Sequence, residues 1–154
     1  MALVEDDADG GIKVIAVEEF KEGINDRHIA LPGARINSNT HENAINAAMR
    51  RLRQETGYEP RCPSSNEPPA VWLGAGPFMA RSCKDEVYVV LLRNCTKVTE
   101  PALRAGEHVA VIRYGLDHLL TLICENKISD VHAGNAVFRA LLYLEWIKLH
   151  VPSR

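Results

Sequence analysis

The chain reads as an α+β protein, an αβα sandwich in which a mixed β-sheet is flanked by helices. Three observations lead there. Between Glu42 and Tyr58, residues Ala44, Ala47, Ala48, Leu52 and Glu55 recur at steps of three and four, the period of one helix face. The segment Glu86 to Arg93 (Glu-Val-Tyr-Val-Val-Leu-Leu-Arg) is rich in β-branched residues and nearly all apolar, which predicts a strand buried on both faces. Strand-like and helix-like segments are interspersed without regular alternation, so a mixed sheet fits better than a doubly wound parallel one.

The elements follow in order. Residues 1–10 contain Glu5, Asp6, Asp7 and Asp9 and read as a disordered leader, leaving residues 11–154 as a single domain. Ile12 to Glu18 is a buried strand, Glu22 to Arg27 a turn, and His28 to Leu31 a short strand broken by Pro32-Gly33. A polar loop over 34–41 leads into the helix. Thr40 or Asn39 is placed to cap its start, with Glu42 or Asn43 in the first turn, and Gly57 to end it in the left-handed conformation. Arg61 to Pro69 is a loop, Ala70 to Leu73 a strand, and Gly74 to Pro77 a turn. After the strand at 86–93, Thr96 to Ala105 is a loop and Glu107 to Tyr114 a strand. Two helices close the chain, Leu116 to Glu125 and Val131 to Leu149, the second capped by Asp130 or Ser129.

Composition narrows the function. A length of 154 residues predicts one core. The net charge of −2 carries no electrostatic footprint for nucleic acid. Arg50, Arg51 and Arg53 form a local basic cluster, either a solvated helix face or a set of phosphate contacts. No apolar run approaches the ~20 residues that cross a bilayer. The cysteines Cys62, Cys83, Cys95 and Cys124 form no Cys-x-x-Cys pair, and no signal peptide is visible. Reduced thiols in a cytoplasmic or nuclear protein are therefore expected. The six histidines show no metal-ligand spacing.

The helix carries more than periodicity. Glu42, seven residues, then Arg50-Arg51-Leu52-Arg53-Gln54-Glu55-Thr56-Gly57-Tyr58 resembles the signature of the Nudix hydrolases. In that signature a Glu is followed after seven residues by Arg-Glu, an aliphatic, any residue, Glu-Glu, any residue, Gly and an aliphatic. Glu42, Arg50, Leu52, Glu55 and Gly57 match, while Arg51 and Gln54 stand where the signature has Glu, so the box is degenerate. Leu31-Pro32-Gly33-Ala34-Arg35-Ile36 resembles the Pro-Ala-Gly loop of the ADP-ribose and ADP-sugar pyrophosphatase branch, with the Gly moved by one place. Ile12 to Phe20, Pro68 to Pro77 and Gly106 to Val111 resemble further strands of that branch, so the likeness runs from about residue 11 to 145.

The resemblance implies chemistry. Diphosphate hydrolysis needs a hard cation on the phosphate oxygens and a water in line with phosphorus. In the family, glutamates one turn apart share that cation, which implies magnesium or manganese as cofactor. The matching ligands here are Glu55, Glu107 and the Gly33 carbonyl, with Arg50 orienting a glutamate, Glu55 or Glu42, through a charge-assisted hydrogen bond. Arg51 in a metal position suggests direct, bidentate contact with diphosphate oxygens. Lys21 stands where the branch has an Arg beside Phe20, and Trp72 either stacks on a base or packs in the core.

Two functions follow from this likeness. One is a pyrophosphohydrolase acting on an ADP-sugar-like or other organic diphosphate, weakened by the replaced glutamates. The other is a catalytically inactive module that binds a nucleotide, a diphosphate or a protein partner. The expected partner is a small-molecule diphosphate, with no nucleic acid and no membrane. The branch's N-terminal extension, which supports dimer formation, is reduced here to about ten residues, so the oligomeric state is left open.

Overall fold

The computed structural model describes residues 1–5, 11–21, 25–62, 68–78, 84–103, 108–128 and 130–146. Its centre is a ten-residue strand, β2 (Ile12–Lys21), three residues longer than its sequence suggests. Val14, Ile15, Ala16 and Val17 are all buried, which is why β2 can be paired on both edges. On one edge β2 pairs antiparallel with β8 (Val109–Gly115). On the other, its first half pairs with β1 (Ala2–Glu5) and its second half with β3 (Asp26–Ala30), both antiparallel. β1 continues the sheet to β6 (Glu86–Leu92) in a parallel register, and β6 pairs antiparallel with β5 (Ala70–Pro77). A small second sheet joins β4 (Tyr58–Pro60) to β7 (Cys95–Lys97).

Alternation along the strands builds the layers. Val14 and Leu91 face a core shared with α2 (Leu116–Cys124) and α3 (Val131–Tyr143). Ile15, Val90 and Leu92 face the opposite side, against Leu52, Ala48 and Ile45 of α1 (Ala44–Thr56). Side chains of adjacent strand residues point to opposite faces, so one central sheet serves two cores. The result is the expected αβα sandwich on a mixed sheet. Among the described residues no helix is long and apolar enough to cross a membrane.

Several expectations are corrected. Residues 2–5 do not belong to a disordered leader: Ala2 to Glu5 form β1, inserted between β2 and β6. Backbone pairing overrides the acidic composition that follows them. Residues 6–10 lie outside the described residues. Gly74 to Pro77 is not a turn. The strand continues to Pro77 through an irregularity between Trp72 and Gly74, where Gly74 takes φ 116°. The guanidinium of Arg139 fills the space above Gly74 and donates to the Leu73 carbonyl at 2.9 Å. β6 is buried on both faces only from Val89 onward, since Glu86 and Tyr88 are exposed. β4 and β7 fall in stretches too short to show a period. Helix α3 stops at Tyr143, with Glu145 in a left-handed conformation, and residues 147–149 of the expected helix lie outside the described residues.

Candidate functional site

α1 begins at Asn43, not at Thr40 or Asn39. The Asn43 side chain accepts from the Asn46 N–H at 2.9 Å, satisfying one of the helix's open donors. Glu42 thereby falls just outside the helix and takes another role. Its two carboxylate oxygens accept from Arg50, from Nε at 2.7 Å and Nη2 at 2.9 Å. This is the fork-on-fork geometry that makes Arg–carboxylate pairs strong. The Asn37 N–H adds a third bond to Glu42 at 3.0 Å, and Arg50 also donates to the Arg35 carbonyl at 3.2 Å and to Gln54 Oε1 at 3.4 Å. Arg50 thus ties residues 35–42 down onto the helix. Of the two partners the sequence offered it, Glu42 is the one taken.

The Arg50 hydrogen bonds, and secondarily the Asn37 N–H, hold the Glu42 carboxyl down from 4.5 to about 2. A folded-state value below the unfolded one stabilises the fold at every pH above about 4.5, and that contribution is lost as pH falls through about 2. The stability gap between wild type and Glu42→Gln should therefore be constant near neutrality, shrink below pH ~4.5 and vanish near pH 2. Denaturant melts of both proteins across that range give the gap directly. A gap independent of pH would show that Glu42 carries no linked proton.

One turn along, Arg51 does something different. Its Nε donates to the Gly33 carbonyl at 3.2 Å, and its Nη2 forms a salt bridge with Glu55 Oε1. Glu55 is 2 % exposed, and a carboxylate buried to that extent requires a cationic partner. Arg51 supplies it. Gly33 and Glu55 are two of the three groups that the sequence assigned to a metal, and the guanidinium lies between them. The third, Glu107, lies outside the described residues. Among the described residues no group of three or more His, Cys, Asp or Glu side chains is placed to hold a metal ion. Among the described residues the site offers one carboxylate, paired with Arg51, whereas magnesium prefers several oxygen donors in octahedral array.

These residues line a cleft of about 410 Å³ formed by Gly33, Ala34, Arg35, Arg50, Arg51, Gln54, Glu55, Ala102 and Leu103. Among the described residues its lining carries three arginines and Glu55, with Arg51 paired to Glu55 and Arg50 to Glu42. Ala102 reaches the cleft because its N–H donates to the Gln54 carbonyl at 2.8 Å, folding residues 99–103 over the end of α1. Sequence reasoning assigned no role to Arg35, Ala102 or Leu103. Arg35 was visible as a charge beside the Pro-Gly break, whereas Ala102 and Leu103 carry no chemical signal at all.

The remaining candidates separate from the cleft. Trp72 is 59 % exposed on β5 and lines neither this cavity nor the larger one beside it, so the base-stacking role does not belong to this cleft, nor is it a core residue. The Lys21 backbone ends β2, and its side chain lies outside what the structure describes.

No family model and no curated protein matches the sequence. Among solved structures the chain is similar to the crystal structure of an ADP compounds hydrolase. The TM-score is 0.69 at 18% sequence identity, and the match covers 94% of this chain and 72% of that one. A likeness at that identity defines the fold, which is Nudix-like.

Proposed function

We propose that this chain is a Nudix-fold module that binds an organic diphosphate without a metal ion, and that its cleft has exchanged cation-assisted hydrolysis for direct recognition by arginine. The observation that supports this reading is the position of Arg51. Its guanidinium joins the Gly33 carbonyl to the Glu55 carboxylate and so occupies the place between two oxygen groups that a cation would otherwise bridge. A guanidinium is a planar fork of donors, the shape that suits phosphate oxygens. Arg35 adds an exposed positive charge at the rim.

Calorimetry with ADP-ribose in excess EDTA tests the proposal. The wild type should release or absorb heat with saturating binding, and Arg51→Ala should lose about tenfold or more in affinity, the scale of one charge-assisted contact. Because Arg51→Ala strands the buried Glu55 charge, the charge-balanced Arg51→Ala/Glu55→Ala variant is run beside it. Binding unchanged in a folded variant would overturn the assignment.

The second reading is hydrolysis of an ADP-sugar-like or other organic diphosphate with magnesium or manganese. One observation favours it: the structural neighbour is an ADP compounds hydrolase. The same compounds incubated with each metal at several pH values separate the two: turnover by the wild type establishes the hydrolase and refutes the binding module.

A further inference from the structure

A second cavity of about 700 Å³ opens beside the arginine cleft, and the loop Gly33-Ala34-Arg35 lines both. α1 also serves both: Arg51, Gln54 and Glu55 face the first, Ala48 and Leu52 the second. Two cavities that share a wall and a helix are placed to hold two halves of one ligand. Their chemistry differs sharply. The larger is walled by Leu31, Pro32, Ile36, Val87, Val89 and Ala133, and its volume lies within the ~300–1,000 Å³ of small-molecule sites. Among the described residues its charged groups are Arg35, the amino terminus at Met1, and three acids: Asp85 and Glu86 at the start of β6 and Asp130 at the start of α3. Phe78 stacks on His132 at its mouth, ring centroids 5.0 Å apart and planes inclined by 26°.

We propose that the two cavities form one bipartite site for a diphosphate ester with an apolar body, the diphosphate lying against Arg35, Arg50 and Arg51 and the body in the larger cavity. The inference rests on the proposed diphosphate binding and adds the class of ligand. Chemistry sets the orientation. An anionic group is drawn to the cleft, where guanidinium groups of Arg35, Arg50 and Arg51 outnumber their carboxylate partners Glu42 and Glu55, more than to the cavity, where Asp85, Glu86 and Asp130 outnumber Arg35 and the amino terminus. An uncharged hydrocarbon body gains by leaving water for the apolar walls.

The probes are inorganic pyrophosphate, octyl diphosphate and octanol, titrated into the full chain in excess chelator. Octyl diphosphate should bind at least about tenfold more tightly than pyrophosphate, since eight carbons leave water. Phe78→Ala and Ile36→Gln should reduce that ratio severalfold, and Phe78, 48 % exposed, can be truncated without opening the core. Arg51→Lys should weaken octyl diphosphate while leaving octanol unaffected. Equal affinity for pyrophosphate and octyl diphosphate would overturn the bipartite site and leave diphosphate binding standing. Octanol binding as tightly as octyl diphosphate would overturn diphosphate recognition instead, as would failure of both phosphorylated probes to bind.

Discussion

The double variant Arg51→Glu/Gln54→Glu should bind magnesium or manganese where the wild type does not. With Glu55 it places three carboxylates on one face of α1, because residues three and four apart are neighbours on a helix. The formal charge over positions 51, 54 and 55 passes from zero to −3. One unit charge at ~4 Å and an effective dielectric of ~20 is worth about 4 kcal/mol, and a divalent ion feels twice that. The Gly33 carbonyl, released from Arg51 Nε, becomes available as a further oxygen donor. Without metal the variant should be less stable than the wild type, since like charges meet next to a buried carboxylate. Metal at ~100 times its dissociation constant should restore about 2.7 kcal/mol, a rise in melting temperature of roughly 5–10 °C for a chain of this size. Differential scanning calorimetry with and without manganese reads this shift, and electron paramagnetic resonance counts the bound ion. A melting temperature indifferent to metal in the variant, with the protein folded, would mean that Arg51 does not stand in a cation's place.

The second large effect concerns Gly57. It ends α1 with φ 75°, its N–H donating to the Arg53 carbonyl at 2.9 Å. A Cβ at this position would lie 1.9 Å from the Thr99 carbonyl oxygen and 2.9 Å from its carbon, both backbone atoms. Neither can swing aside. The contact is also held from the other direction, because Val98 N–H donates to the Gly57 carbonyl at 2.8 Å and Thr99 N–H at 3.2 Å. Gly57→Ala therefore adds left-handed strain of about 1–2 kcal/mol and forces residues 98–99 off the helix end, losing bonds worth about 1 kcal/mol each. The expected loss is about 3–5 kcal/mol, a fall of roughly 10 °C in melting temperature. Gly33→Ala is the control. Its Cβ would sit 3.7 Å from the Leu31 carbonyl, an ordinary contact, so stability should change by less than about 0.5 kcal/mol. If the two variants melt together, the close approach at Gly57 does not hold the cleft. Because residues 99–103 carry Ala102 and Leu103 to that cleft, Gly57→Ala should also weaken diphosphate binding.

Several of these features are written locally and so were legible from the residues. The face of α1 and its glycine stop depend on spacing of three and four residues, which any helix converts to neighbours. The long strands were legible for the same reason, as were the Asp130 cap and the pairing of Arg50 with one of two named glutamates. β1 was not, because five residues ahead of an acidic run have no period to read and become a strand only when β2 and β6 offer them backbone partners. The length of β5 was hidden by glycines that usually mark turns, yet here one of them makes room for Arg139.

The sequence alone placed Arg51, Gln54 and Glu55 on one helix face, because that is a statement about composition and spacing. Only the tertiary structure decided where the Arg51 charge goes. Glu55 is buried by the packing of α1 on the sheet, the Gly33 carbonyl is brought across by the tie between Arg50 and Glu42, and the guanidinium settles between them. A charge on a string of letters can point anywhere; burial of its partner removes the alternatives, because an ion taken out of water must find its counterion.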